Sequence, residues 1–212
     1  MTNGTPPIIN QVAWDIGILA QRLVGEYYTH MAALHVAADP RAAVLAPPIE
    51  PGQAVPVLRV PRDDGTHHTF HFSHFLGQVR EPQLVEDFKR AWLASSLLTI
   101  GDELGAHSYF NKAPEAEPEA ELVRHLRNGI AHGNEFSMRG DVIDPKTSRL
   151  KLPAHNRRYT KALTMREYVV DTSLNGTKVL FDYGGPAAIL DILTALGWHL
   201  TRTACGFAIG SA

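Results

Sequence analysis

The stretch EAELVRHLRNGIAHGNEF, residues 119–136, holds two arginines and two histidines within an apolar rhythm. Pro118 just ahead suits a first helical turn, and Glu115, Glu117, Glu119 and Glu121 put negative charge where a helix dipole favours it. Advancing about 100° per residue from Leu122, Leu126 falls at about 40°, Ile130 at about 80° and Val123 at about 100°. These four residues make the core stripe of a helix. On the same wheel Arg127 falls at about 140°, Arg124 at about 200°, Asn128 at about 240° and His132 at about 280°. Arg127 and His132 are thus about 140° apart, with Asn128 between them and Ala131 leaving a shallow gap in the arc. The polar groups are predicted to gather opposite the core, as a wide face and not a metal clamp.

Upstream, Pro82 opens a second helix on which Leu84, Phe88, Trp92, Leu93, Leu97, Ile100 and Leu104 form a broad apolar surface. That helix is expected to be central. A first helix is predicted to start at Thr5-Pro6-Pro7, to carry Val12, Ile16, Leu19, Leu23 and Tyr27 on one face, and to close at Asp39-Pro40. Between these two, from Pro47 to about Gly77, VPVLRV and THHTFHF flank Arg62-Asp63-Asp64-Gly65 and read as an inserted hairpin. Downstream of Gly140 the chain is expected to be irregular and basic until REYVVDTSLNGTKVLFDY, a second hairpin turning at Asn175-Gly176. Pro186 then starts a last helix with Ile189, Leu193, Leu196, Leu200 and Phe207 on one face. The expectation is a mainly α protein, a single domain over residues 1–212 with four main helices and β-hairpin additions near 55–72 and 167–183.

With 44% hydrophobic residues, 20% charged residues and a formal net charge of −2, the composition is that of an ordinary globular chain of 212 residues. Any nucleic-acid surface must therefore be local. Cys205 is the only cysteine and can form no internal disulfide, which fits a reducing compartment. MTNGTPPIIN lacks the basic start and apolar run of a signal peptide, and no stretch has the roughly 20 apolar residues of a membrane span. A cytoplasmic location, with no membrane partner, is expected.

Arg127-Asn128-Gly129-Ile130-Ala131-His132 resembles the arginine-polar-x-x-x-histidine signature of the HEPN superfamily, the domain named for higher eukaryotes and prokaryotes nucleotide-binding. The likeness covers this motif and the helical context of about half the chain. It implies a HEPN-like α-helical bundle that forms a homodimer with a composite cleft, and many members of that family are metal-independent RNases of toxin–antitoxin, abortive-infection and CRISPR-associated systems. The resemblance assigns Arg127 to an electropositive site and His132 to proton transfer, with Asn128 orienting the arginine, the phosphate or the histidine. No cofactor and no metal are implied. RNA supplies its own 2′-hydroxyl nucleophile, an imidazole titrates near neutrality, and a guanidinium fork suits phosphate oxygens. The implied product end is a 2′,3′-cyclic phosphate, and the implied partners are RNA and an antitoxin or other regulatory protein. Position 134 departs from HEPN toxins that carry a tyrosine two residues after the histidine: here it is Asn134, so modification of a tyrosine at that site is not expected. Two other readings stay open, a catalytically inactive HEPN module that binds RNA, a nucleotide or a protein, and a helical interaction protein whose polar face is only solvated.

Lys146, Arg149, Lys151, Arg157, Arg158, Lys161 and Arg166 form a positive run without an acidic residue, interleaved with His155 and Tyr159. It is either an RNA track or a solvated loop. Arg124, Arg157, Arg158 and Lys161 are the candidate RNA-binding cations. His67, His68, His71 and His74 invite a zinc reading, but residues 67 and 71 of one strand are about 13 Å apart, too far for one ion. Asp102, Glu103 and His107 either finish a helix end in water or lend a carboxylate to His132. No nucleophile elbow, phosphate-cradling glycine loop or dinucleotide fingerprint is present.

Overall fold

In the computed structural model the chain is mainly α-helical, as its periodicity predicts. The structure describes residues 7–45, 52, 54, 57–111, 118–136, 142–143, 150–151, 157–161, 166–170, 174–183 and 185–207, the strand residues from 142 to 170 by their backbone alone. The helices are α1 (Gln11–Ala38), α2 (Phe72–Gln78), α3 (Pro82–Ala106), α4 (Pro118–Ala131) and α5 (Gly185–Ala204), with short 3-10 turns at Pro40–Leu45 and Tyr109–Asn111. Strands β1 (Val57–Pro61) and β2 (His67–His71), β3 (Val142–Ile143) and β4 (Leu150–Lys151), and β5 (Arg157–Lys161) and β6 (Arg166–Val170) form three antiparallel pairs. Among the described residues no helix is long and apolar enough to cross a membrane.

The chain divides into two compact units, one from residues 1–25 and 92–212, the other Glu26–Ala91. In the larger unit Ala13, Ile16 and Ala20 of α1, Leu93, Leu97, Ile100 and Leu104 of α3, Leu122, Val123 and Leu126 of α4, and Ile189, Leu193, Leu196 and Leu200 of α5 are buried. Each set recurs at helical spacing, so each helix turns one stripe inward. α1 and α5 run antiparallel and cross on glycines. A Cβ on Gly17 would stand 2.8 Å from Thr201 Cγ2 and 3.0 Å from the Gly197 carbonyl oxygen, so only glycine admits this approach.

Helix α1 starts at Gln11 and not at the prolines. Asn10 is its cap, with Oδ1 accepting from the Ala13 N–H at 3.1 Å. The Ile9 and Asn10 N–H groups donate to the Ala204 carbonyl at 2.7 and 3.2 Å, which ties this approach segment to the end of α5. That end is a left-handed stop at Gly206, φ +78°, where the Gly206 N–H donates to Thr203 and the Phe207 N–H to Arg202. Phe207 therefore lies beyond the helix, 50% exposed, and does not continue the apolar face expected of it.

In the smaller unit the first hairpin falls as expected, Val57 opposite His71 through Pro61 opposite His67. Asp64 Oδ1 accepts from the N–H and hydroxyl of Thr66 in its turn, and Gly65 takes φ +79°. β2 runs directly into α2, a short helix that the alternating THHTFHF pattern does not announce. Leu76 and Val79 bury with Leu34, Ala37 and Ala42, and Phe72, Phe75 and Phe88 pack against them.

The second hairpin is not the one expected over 167–183. Arg166–Val170 pairs with Arg157–Lys161, so the basic run is partly strand and not irregular throughout. Asn175-Gly176 does turn, with Gly176 at φ +81°, but the segment beyond it folds onto the residues after α4. The Phe136 N–H donates to Thr177 at 2.9 Å, the Gly176 N–H donates to Phe136 at 2.8 Å, and Glu135 bridges Lys178. Burial decides this pairing: Phe136, Val179 and Leu180 are interior, and Phe136 meets Tyr183 edge-on at 5.5 Å.

Candidate functional site

Two kinds of side chain flank the polar face of α4, and they are held differently. At its start Glu121 is buried, its side chain 5% exposed. Arg124 pairs with it through Nη2 and donates from Nε to Oε2 at 2.9 Å, while His125 Nε2 lies 3.0 Å from Oε1. Burial pushes the Glu121 carboxyl up, but the hydrogen bonds from His125 and Arg124 outweigh it and hold the group at about 2. Glu119 of the same turn lies 3.8 Å from His199 of α5. The acidic first turn is therefore an interior ion network as well as a favourable end for the dipole. Its signal in the sequence is Glu121-x-x-Arg124-His125, one carboxylate with cations three and four positions on.

One turn further, Arg127 crosses to α3. Its Nε and Nη2 donate to Asp102 Oδ1 at 3.1 and 2.6 Å, and Nη1 lies 3.5 Å from Asn128 Oδ1. Its stem lies on Gly101: a Cβ there would stand 2.5 Å from Arg127 Cγ and 2.9 Å from Arg127 Cβ. Gly101, Asp102, Gly105, Ala106 and Phe110 on one side and Arg124, Arg127 and Asn128 on the other line an open depression of about 540 Å³. The structure thus brings together three of the expected polar residues of α4. It also adds Asp102, whose carboxylate engages Arg127 and not His132. Glu103 and His107 face elsewhere, lining a depression of about 280 Å³ with Val12, Asp15, Ile16 and Leu19.

His132 stands at the very end of the polar face, one residue past the last helical residue. α4 ends at Ala131, and Gly133 at φ +92° and Asn134 at φ +61° turn the chain. The His132 N–H donates to Asn128 and Gly129, and its side chain is exposed with no hydrogen bond or ion pair among the described residues. It does not line the depression that holds Arg127. Asn134 accepts the Leu180 N–H on Oδ1 at 2.8 Å, and its carbonyl accepts the Val179 N–H at 3.2 Å. Gly129 makes room for that segment, since a Cβ there would meet Val179 Cγ2 at 2.3 Å.

Arg157, Arg158 and Lys161 lie on β5, and their side chains lie outside the described residues. His67, His68 and His71 follow one another along β2 and His74 sits on α2, with Nε2 3.0 Å from Gln78 Nε2. Among the described residues no group of three or more histidine, cysteine, aspartate or glutamate side chains is placed to hold a metal ion. Comparison of the chain with protein-family models, with curated proteins and with solved structures finds no match in any of the three.

Proposed function

We propose that this protein is a metal-independent endoribonuclease of the HEPN type, acting as a homodimer whose two α4 helices share one cleft. The observation that carries the reading is the arrangement on α4. An arginine is held at an open groove, an asparagine stands beside it, and a histidine without a side-chain partner among the described residues caps the helix. In the proposed reaction the 2′-oxygen attacks phosphorus and its proton passes to one imidazole. The P–O5′ bond breaks and the leaving oxygen takes a proton from the partner's imidazole, which gives a 2′,3′-cyclic phosphate and a 5′-hydroxyl. Arg127 stabilises the charge that gathers on the phosphoryl oxygens, and Asn128 orients the guanidinium. The basic strand carrying Arg157, Arg158 and Lys161 is proposed to follow the RNA backbone, in which case affinity falls steeply with salt. A setting in phage defence or a toxin system, with an antitoxin or other regulator as partner, rests on the motif's resemblance alone.

The deciding experiment is cleavage of a mixed-sequence single-stranded RNA in EDTA, with product ends mapped, for wild type, Arg127→Ala and His132→Ala. Each substitution is expected to lower the rate by at least about 10²-fold, the scale of an acid–base or charge-stabilising group, and to leave the fold intact. Full cleavage by either variant rules out its assigned role. One observation favours a second reading, a silent HEPN module that binds without cutting. Both arginines of the groove already face carboxylates, Arg124 with Glu121 and Arg127 with Asp102. A well-folded dimer that binds RNA and never cleaves it would establish that alternative.

A further inference from the structure

Asp102 and Arg127 are separated by 25 positions and meet across two helices. Both hydrogen bonds go to a single carboxylate oxygen, and both come from the Nε–Nη2 edge of the guanidinium. A guanidinium has five N–H donors in a rigid plane, so engaging that edge leaves the Nη1–Nη2 end for a second bidentate acceptor. Among the described residues Asn128 Oδ1 stands 3.5 Å from Nη1. Gly101 lets the stem lie flat on α3, and the head reaches the groove lined by Gly105, Ala106 and Phe110. The Asp102 side chain is 64% exposed, so the pair is screened by water and contributes little to stability. What it does fix is the direction of a planar fork.

We infer that Asp102 is a positioning residue: it holds Arg127 side-on so that the Nη1–Nη2 end faces the groove and receives two oxygens of a phosphodiester. The inference rests on the ribonuclease reading. It goes beyond the sequence motif, because Asp102 belongs to another helix and carries no part of the arginine–histidine spacing. Asp102 touches neither the phosphate nor the reacting atoms in this scheme and acts only through Arg127.

The test compares wild type, Asp102→Ala, Asp102→Glu, Arg127→Ala and the Asp102→Ala/Arg127→Ala double variant, with kcat and KM measured on one RNA oligonucleotide in EDTA. Misplacing the fork is expected to lower kcat/KM by roughly 10- to 100-fold in Asp102→Ala, with KM raised as well as kcat lowered, because the fork holds the phosphodiester before and during the reaction. Asp102→Glu should recover part of the loss. The double variant should be no slower than Arg127→Ala, because a group that acts only through Arg127 has nothing left to act on. Wild-type speed in Asp102→Ala, faster cleavage, or losses that multiply in the double variant would overturn the inference. Faster cleavage would make Asp102 a competitor of the phosphate. If wild type does not cleave at all, the ribonuclease reading fails by itself, and the same proteins are titrated with a 2′-O-methyl oligonucleotide of that sequence. Equal, non-additive losses of affinity in the Asp102 and Arg127 variants then uphold the positioning role, and unchanged affinity in Asp102→Ala overturns it.

Discussion

Arg124 and Arg127 stand one turn apart on α4 and line the same groove, yet they are paired on opposite terms. Glu121, the partner of Arg124, lies on the same helix and is 5% exposed. Asp102, the partner of Arg127, lies on α3 and is 64% exposed. The two arginines are equally exposed, but taking a partner from the buried Glu121 strands a carboxylate where water hardly reaches it, whereas the solvated Asp102 can open and exchange its partner at little cost. Arg124 is therefore bound into the architecture and Arg127 remains open to a ligand. Residue type alone does not distinguish the two; the depth of the opposing carboxylate does.

The sharpest way to break this contrast is Arg124→Ala, which takes a partner from the buried Glu121 carboxylate and should destabilise the protein by on the order of 2–3 kcal/mol in chemical denaturation. A loss no larger than that of an exposed pair would erase the difference between the arginines. The same carboxyl predicts an acid limb. It keeps its charge in the fold down to about pH 2, while the unfolded chain takes up that proton near the ordinary 4.5. Its stabilisation is therefore complete above about pH 5 and is lost as pH falls toward 2. It is worth on the order of 3 kcal/mol at neutrality, and Glu121→Gln should flatten that limb.

Gly101→Ala tests the other arginine. The new methyl would collide with the near end of the Arg127 stem, which cannot swing aside as a side-chain tip can. A cost of about 1–3 kcal/mol is expected, together with a fall in RNA cleavage at temperatures where the fold is intact. Unaltered melting and cleavage would show that the helices separate freely at this point. The smallest effect should come from Lys178→Ala, which removes the exposed pair with Glu135 at 2.9 Å and should shift stability by less than about 1 kcal/mol.

The long helices α1, α3, α4 and α5 are legible because their apolar residues recur at three- and four-residue spacing over many turns. The first hairpin is legible because Asp64-Gly65 supplies the turn chemistry. The partner of Arg166–Val170 is not, since strand pairing is a long-range choice. Val179 and Leu180 are drawn into the interior beside Phe136, which leaves Arg157–Lys161 to complete the ladder. α2 is too short for a period of 3.6 to stand out from the alternation of β2. Within the candidate site, Arg124, Arg127 and Asn128 are found on one wall of the groove as the wheel suggests. His132 lies off the core and away from Arg127, as the wheel suggests, at the point where the helix stops, and Gly133 just after it is the stop signal written in the chain. The burial of Glu121 and the meeting of Asp102 with Arg127 depend on neighbouring helices and could not be read from either helix alone.

Asn134 sits in the left-handed region at φ +61° and holds the Leu180 N–H with its own side chain. Few L-residues are tolerated in that conformation, and fewer still can reach back to a backbone amide from it. A bulky residue without a short acceptor would strain the backbone there and leave the Leu180 N–H without its partner, so Asn134 works as a pin that fastens the end of α4 to a stretch of chain more than forty residues on.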